Sequence, residues 1–183
     1  MTDPGEGFVL GVDLGTSHTV AMLRRPGGRA RPLLFDGQPL LPSAVYLDTT
    51  GRLHVGRDAM RLGQAEPGRV EPHPKRHVDD GSVLLGESIV PVSDLLAALL
   101  GAVAREAVAT AGFLPPAVLT FPASWGAIRQ QVLVEALGKA GWPSETRLTP
   151  EPVAAASGGE SKRSAARCTA AASMIRSMRM RQP

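Results

Sequence analysis

Hydrophobic positions in the first half of the chain fall into short runs that are separated by turns rich in glycine and proline. Runs at 8–12 and 19–23 flank a turn that contains Gly15, and two such runs around a glycine turn predict a β-hairpin. Residues 63–82 have little periodicity and much glycine, proline and charge, which predicts a loop. The remaining runs predict three more strands and two short extended pieces, at 31–35, 44–47, 53–55, 83–85 and 89–90.

Helical periodicity begins after Pro91, where apolar residues recur at steps of three and four. This pattern predicts a helix that Ser93 caps and Gly112 ends. A second helix is predicted after a turn at 122–125, with Ser124 as its cap. The apolar positions of the first helix are Leu95, Leu96, Leu99, Leu100, Val103 and Val108. Those of the second helix are Ile128, Val132, Leu133, Ala136, Leu137 and Ala140.

The order of the elements predicts the fold class. A buried strand is expected at 117–121, a last short strand at 146–148 and the start of a third helix at 152–157. Helices that alternate with strands late in the chain imply parallel strands covered by helices. The sequence therefore predicts an α/β layer fold whose mixed sheet begins with an antiparallel hairpin.

Composition limits the classes of protein that the chain can be. With 183 residues, 43% of them hydrophobic and 20% charged, it can bury the core of one domain or slightly more. A single cysteine, Cys168, excludes an internal disulfide framework and a cysteine-based zinc site. No apolar run reaches the roughly 18 residues of a membrane helix, and the N-terminus lacks the pattern of a signal peptide. We therefore expect a cytoplasmic protein.

Charge is distributed unevenly along the chain. Residues after Ser157 carry six basic side chains and one acidic side chain, whereas residues 1–157 carry 14 basic and 16 acidic side chains. The basic character of the whole chain therefore belongs to its last part and says little about the domain. We predict a folded unit at 1–157 and a basic, disordered tail at 158–183.

The turn of the first hairpin, Asp13-Leu14-Gly15-Thr16-Ser17-His18, has the composition of a phosphate site. Glycine lets main-chain amides approach an anion, and the two hydroxyls add donors. Asp13 is the hard-oxygen group that suits Mg²⁺ held through its water shell. The alternative is an ordinary hairpin turn, in which aspartate and glycine act only as turn formers. The chain has neither a Walker lysine motif nor a G-x-G-x-x-G fingerprint.

This turn resembles the first phosphate loop of the superfamily that contains actin, sugar kinases and heat-shock ATPases. Over residues 8–157 the chain resembles the start of the nucleotide-binding domain of heat-shock protein 70 (DnaK-type) chaperones. Sugar kinases share the first loop but are not expected to share the other segments. These segments, in chain order, are Leu-Pro-Ser-Ala-Val-Tyr-Leu at 41–47, Val-Gly-Arg-Asp-Ala at 55–59, Pro-Lys-Arg at 74–76, Thr-Phe-Pro-Ala-Ser-Trp at 120–125, Arg-Gln at 129–130 and Glu-Pro-Val-Ala-Ala-Ala at 151–156.

The resemblance implies an actin-like ATPase (ribonuclease H-like) lobe that binds ATP or ADP with Mg²⁺. It implies that Asp13 holds the waters of the magnesium ion. It also implies that Gly15, Thr16 and Ser17 bind the β- and γ-phosphates, with His18 next to them in the cofactor-binding turn. The partners that it implies are nucleotide, unfolded polypeptide clients and co-chaperones.

The resemblance also implies catalytic roles further along the chain. Lys75 would lie against the γ-phosphate and the attacking water, where phosphoryl transfer needs a fixed cation. Glu151 would order magnesium and the hydrolytic water, and Asp13 completes the catalytic set. Pro122 and Arg129 resemble a relay that links nucleotide state to the peptide-binding domain. Without the resemblance, Lys75 is a solvated charge, Glu151 a helix start and Pro122 a strand terminator.

A second phosphate loop of the type Asp-x-Gly-Gly-Gly-Thr is missing from the 183 residues. We therefore expect an incomplete domain whose second lobe is missing, from a truncated or out-of-frame reading of a longer gene, with weak or absent ATP hydrolysis. One alternative is a non-catalytic interaction module that self-associates or binds another chain through the open face of the lobe. A less favoured one is nucleic-acid binding through the basic tail, which lacks aromatic side chains for stacking.

Overall fold

The computed structural model describes residues 7–151, so the helix predicted at 152–157 and the tail at 158–183 lie outside the described residues. The strands are β1 (Val9–Leu14), β2 (His18–Arg24), β3 (Ala30–Pro32), β4 (Leu41–Pro42), β5 (Val45–Leu47), β6 (Leu53–Val55), β7 (Val70–Glu71), β8 (Ser82–Leu85), β9 (Ser88–Pro91), β10 (Ala117–Phe121) and β11 (Arg147–Pro150). The α-helices are α1 (Gly56–Ala65), α2 (Val92–Ala111) and α3 (Ala127–Lys139).

A mixed sheet organises the described part of the chain. Its strand order is β11-β10-β1-β2-β3, and β4 pairs with β2. Strands β1 and β2 are antiparallel, whereas β1, β10 and β11 run parallel to one another. The predicted hairpin, the parallel strands and the α/β class are therefore confirmed.

One face of this sheet packs into the main hydrophobic core. Leu10, Val12 and Leu14 alternate along β1 and are at most 1% exposed. In the pairing register Leu119 of β10 lies beside Val12, so these rows of side chains share a face. The same core contains the apolar positions of α2 from Leu95 to Val103. Each fully buried leucine contributes about 1.5–3 kcal/mol, so this layer is the main source of stability.

Helix α2 ends as predicted but begins differently. Gly112 has φ 87° at its C-terminus, in the left-handed region that glycine adopts at low cost. Ser93 is not the N-cap, because the helix starts one residue after Pro91. The Ser93 hydroxyl instead donates to Oε1 of Glu135 on α3, at 2.9 Å. A contact with another helix has replaced the local cap.

An ion pair between Asp94 and Lys139 joins α2 to α3. Lys139 Nζ lies 2.6 Å from Asp94 Oδ1 and 2.7 Å from Glu135 Oε1. The hydrogen bond to Asp94 is the largest cause of the raised pKa of Lys139, and the bond from Lys139 lowers the pKa of Glu135. The indole of Trp142 also donates to the Leu100 carbonyl, at 3.1 Å. These contacts set α3 against α2.

Three predictions about helix faces and caps are wrong. Ser124 does not cap α3, whose N-cap is Gly126 without a side-chain cap bond. Ile128 is 84% exposed, because the first turn of α3 extends beyond the part of the helix that is buried. Val108, near the end of α2, is likewise 42% exposed. Periodicity identified the helices, but it did not show how far along each helix the core extends.

The loop predicted at 63–82 is also wrong in part. Residues 63–65 belong to α1, and 3₁₀ turns at Pro67–Arg69 and Pro74–His77 follow, with β7 between them. Strand β7 joins β5 and β6 in a second, three-stranded sheet, in which β5 pairs with both β6 and β7. The buried face of α1 consists of small residues, Gly56, Ala59 and Gly63, so it carries no leucine periodicity. A Cβ at Gly63 would overlap Val70, which explains why the helix approaches β7 so closely.

The two extended pieces near residue 85 form a separate hairpin, β8–β9. Leu84 and Ile89 lie opposite each other in its register and are 63% and 75% exposed.

None of the helices within residues 7–151 combines the length and the apolar character that crossing a bilayer would require.

Candidate functional site

Three parallel strands end at the same edge of the mixed sheet. Asp13 of β1 lies beside Thr120 of β10, which lies beside Thr149 of β11. The amide of Glu151 donates to the Phe121 carbonyl, at 2.9 Å, and so follows directly on this edge. Ligands of open α/β sheets bind outside the carboxyl ends of the strands. We call this the carboxyl edge; it brings together Asp13, the turn at 15–18 and Glu151.

Hydrogen bonds from Ser43 to main-chain carbonyl groups hold the turn at 15–18 in place. The buried hydroxyl of Ser43 donates to the Gly15 carbonyl at 2.8 Å, and the Ser43 amide donates to the Ser17 carbonyl at 2.9 Å. The Ser43 hydroxyl also lies 3.1 Å from that of Thr19. A Cβ at Gly15 would overlap the carbonyl oxygen of His18, so the turn closes too tightly for any other residue.

The second half of the turn is accessible to solvent. Ser17 and His18 are exposed and Thr16 is half-buried. Among the turn and loop hydrogen bonds of residues 7–151, none is donated by the amides of Gly15, Thr16 or Ser17. A turn whose carbonyls accept bonds from Ser43 and whose amides take no part in these bonds is suited to an anion.

Asp13 lies directly behind this turn and is only 3% exposed. Its neighbours in the sheet are Val20 on β2 and Thr120 on β10. Residues 7–151 contain no group of three or more His, Cys, Asp or Glu side chains placed to bind one metal ion. The buried carboxylate of Asp13 is a hard-oxygen donor, which suits magnesium that keeps most of its water ligands. A single buried carboxylate is compatible with an ion that is held mainly through its waters.

Lys75 approaches the base of the turn from the second 3₁₀ turn, Pro74–His77. Its Nζ donates to the Leu14 carbonyl at 2.7 Å, and it lies 5.2 Å from the centre of the Trp125 ring. Lys75 is half-buried, and a cation over an indole face is attracted by the ring. His73 Nδ1 lies 3.3 Å from the Thr16 carbonyl oxygen. The lysine therefore contacts the candidate phosphate turn rather than extending into solvent.

Acidic side chains hold the segment that carries Lys75. Asp79 accepts two hydrogen bonds from Arg129 of α3, both at 2.7 Å, and this contact raises the pKa of Arg129. His77 lies between two carboxylates, 3.2 Å from Glu71 and 2.7 Å from Asp80. Arg129 thus connects α3 to the lysine-bearing segment, and its role in a relay with Pro122 stays a prediction.

Sequence reasoning assigned no role to three residues that build this edge: Ser43, His73 and Trp125. Ser43 and Trp125 belong to segments that carry the family resemblance, but no local pattern marks them as supports of the turn. The partner of the Ser43 hydroxyl is 28 residues away, and that of the His73 ring is 57 residues away. Only the folded chain shows these contacts.

No protein-family model matches this chain. Proteins named chaperone protein DnaK from Thermotoga neapolitana, Thermotoga petrophila and Thermotoga maritima are each 30% identical to it over 152 residues. Each alignment covers 81% of this chain and 25% of the relative, so the chain spans about a quarter of the length of these curated relatives. The resemblance to the heat-shock protein 70 family is confirmed, because four-fifths of this chain is similar to a quarter of proteins named chaperone protein DnaK.

Proposed function

We propose that the described residues form an ATP-binding lobe of an Hsp70-like chaperone, with an actin-like ATPase (ribonuclease H-like) fold. One observation carries this proposal: Lys75 donates to the Leu14 carbonyl, at the base of the turn that Asp13 precedes. A fixed cation, main-chain amides and a buried carboxylate at one sheet edge are groups suited to a nucleoside triphosphate with its metal ion.

The turn would bind the β- and γ-phosphates. Gly15 allows the tight closure, the amides of residues 15–17 donate to phosphate oxygens, and the hydroxyls of Thr16 and Ser17 add donors. His18 is exposed at the end of the turn, where its ring can contact the same nucleotide.

Asp13 and Glu151 would hold the waters of the magnesium ion. When bound, the ion would neutralise the charge that develops on the phosphates. Lys75 would place its positive charge beside the γ-phosphate, and its contacts with Leu14 and Trp125 keep the ammonium group in one position. A group that is already oriented loses little entropy when the ligand binds.

We expect the affinity of this chain for ATP to be low and hydrolysis to be weak or absent. One phosphate turn supplies only part of the contacts that a nucleotide needs, and millimolar affinity corresponds to about −4 kcal/mol. The relatives are about four times as long as the matched segment, so clients, co-chaperones and a cytoplasmic location stay proposals for this chain.

Calorimetric titration of the full chain with Mg-ATP tests the proposal. We expect millimolar binding that Lys75→Ala and Asp13→Asn each weaken about tenfold, equivalent to about 1.4 kcal/mol. Arg76→Ala is the matched control, because Arg76 is the exposed neighbour of Lys75 and should leave the affinity unchanged. Equal heats for all four proteins would refute the assignment, and micromolar binding would refute the expected weakness.

The same protein samples distinguish the alternatives. An interaction module predicts an oligomer in light scattering whose mass does not change when ATP is added. Nucleic-acid binding through residues 158–183 predicts a strong dependence on salt that disappears when those residues are deleted.

A further inference from the structure

A second concentration of charge lies at the opposite end of the mixed sheet from Asp13. Arg24, the last residue of β2, pairs with Val9, the first residue of β1, so the β2–β3 connection leaves the sheet at this far edge. The C-terminal turn of α2 reaches the same place, where Arg25 donates to the Thr110 carbonyl at 3.0 Å. A cation at the end of a helix also interacts favourably with the helix dipole.

A cavity of about 620 Å³ opens between this connection and the end of α2. Arg25, Arg29 and Arg31 contribute to its lining, and all three are exposed. Its apolar part includes Leu33, which is buried, and Leu34, which is 48% exposed. We call this cavity the arginine pocket. Its size is within the range of specific ligand sites, about 300–1,000 Å³.

The charge here is not balanced locally. Residues 7–151 contain 14 basic and 14 acidic side chains, yet four of the basic ones fall within 24–31, a stretch without an acid. Glu106 is the one acidic residue that lines the arginine pocket. Within the described part of the chain, no ion pair involves Arg25, Arg29 or Arg31. Arg29 and Arg31 are exposed and have no acidic partner among residues 7–151, so their guanidinium groups can pair with an added carboxylate.

We propose that the arginine pocket binds an acidic polypeptide segment that also carries apolar side chains. Guanidinium groups bind carboxylates through paired hydrogen bonds, and Leu33 and Leu34 offer an apolar surface beside them. No aromatic side chain lines the pocket, so it lacks the stacking surface that single-stranded nucleic acid uses. Pro32 removes one main-chain donor from the edge strand β3, so recognition depends on side chains rather than on an added strand.

Fluorescence anisotropy on the full chain tests this site independently of nucleotide. The probe is a labelled peptide of repeated Glu-Leu-Glu units, and the neutral comparison is the same peptide with glutamine in place of glutamate. We expect R29E/R31E to weaken binding of the acidic peptide at least tenfold. The matched control is R57E/R61E, which reverses the same charge at exposed positions of α1, so it measures general electrostatic attraction, including that of the basic residues after Ser157.

The arginine pocket is supported if R29E/R31E loses at least ten times more affinity than R57E/R61E while circular dichroism shows both variants folded. Equal losses in the two variants would overturn it, because the attraction would then be general. Equal binding of the neutral peptide would also overturn it, as would tighter binding of a labelled oligothymidylate of similar length. If R29E/R31E fails to fold, the peptide affinity of R29Q/R31Q is compared with that of R57Q/R61Q by the same criteria.

Discussion

The two ends of the mixed sheet carry charge in contrasting ways. At the carboxyl edge Asp13 is 3% exposed, and Lys75 contacts the Leu14 carbonyl and the Trp125 ring. At the far edge Arg29 and Arg31 are exposed and form no ion pair with a described residue. A charge that is buried must be held by specific partners, whereas an exposed guanidinium is solvated and adaptable.

This difference indicates two modes of recognition. A site whose groups are already oriented suits a small, rigid and highly charged ligand, because little order is lost on binding. A set of exposed arginines around an apolar cavity suits a polypeptide that adjusts to it. We therefore expect substitutions at the carboxyl edge to lower the free energy of unfolding as well as ligand affinity. Substitutions at the far edge should change ligand affinity alone.

The largest expected difference is between the glycines of the two hairpins. Gly15→Ala should lower the free energy of unfolding by about 3 kcal/mol, because the new Cβ overlaps the His18 carbonyl. Gly28→Ala should change it by less than about 0.5 kcal/mol, because the nearest atom, the Arg25 carbonyl oxygen, is 3.5 Å away. Urea unfolding of both variants measures the difference. Equal stability of the two would show that the turn at 15–18 is not tightly closed.

A medium effect is expected from the polar group that supports the turn. Ser43→Ala should cost about 2 kcal/mol, because it leaves the Gly15 carbonyl without its buried donor. The far-edge counterpart is Arg25→Ala, which removes one exposed hydrogen bond to the Thr110 carbonyl and should cost less than about 0.5 kcal/mol. Thermal and urea unfolding give both values. A smaller loss for Ser43→Ala than for Arg25→Ala would reverse the comparison.

The smallest effect concerns the contact between α3 and the lysine-bearing segment. A double-mutant cycle with Asp79→Ala and Arg129→Ala should give a coupling energy below about 1 kcal/mol, because both side chains are substantially exposed. Salt at about 1 M should reduce this coupling further. A larger, salt-resistant coupling would mean that Arg129 does more to fix the position of Lys75 than an exposed pair can.

The sequence predicted those parts of the fold that depend on local chemistry. The predicted limits of strand β10 match the observed ones, and Gly112 ends α2 as predicted. Both features depend on neighbouring residues: a short apolar run bounded by prolines forms a buried strand, and glycine readily adopts the left-handed conformation at the end of a helix. Helix α1 was missed, since a helix that buries only glycine and alanine lacks the apolar periodicity on which such predictions depend. Ile128 was assigned to the core because periodicity does not show where the neighbouring layer ends.

For the candidate site, the sequence by itself determined the composition of the phosphate turn and made Asp13 a candidate. The resemblance to the heat-shock protein 70 family added Lys75 and Glu151. Tertiary structure alone decided that Lys75 donates a hydrogen bond to the Leu14 carbonyl, 61 positions away in the chain. It also decided that the Ser43 hydroxyl donates to the Gly15 carbonyl, and that Arg25, Arg29 and Arg31 line a cavity that the end of α2 completes. The physical reason is that turn geometry depends on neighbouring residues, whereas convergence of distant side chains depends on how strands and helices pack.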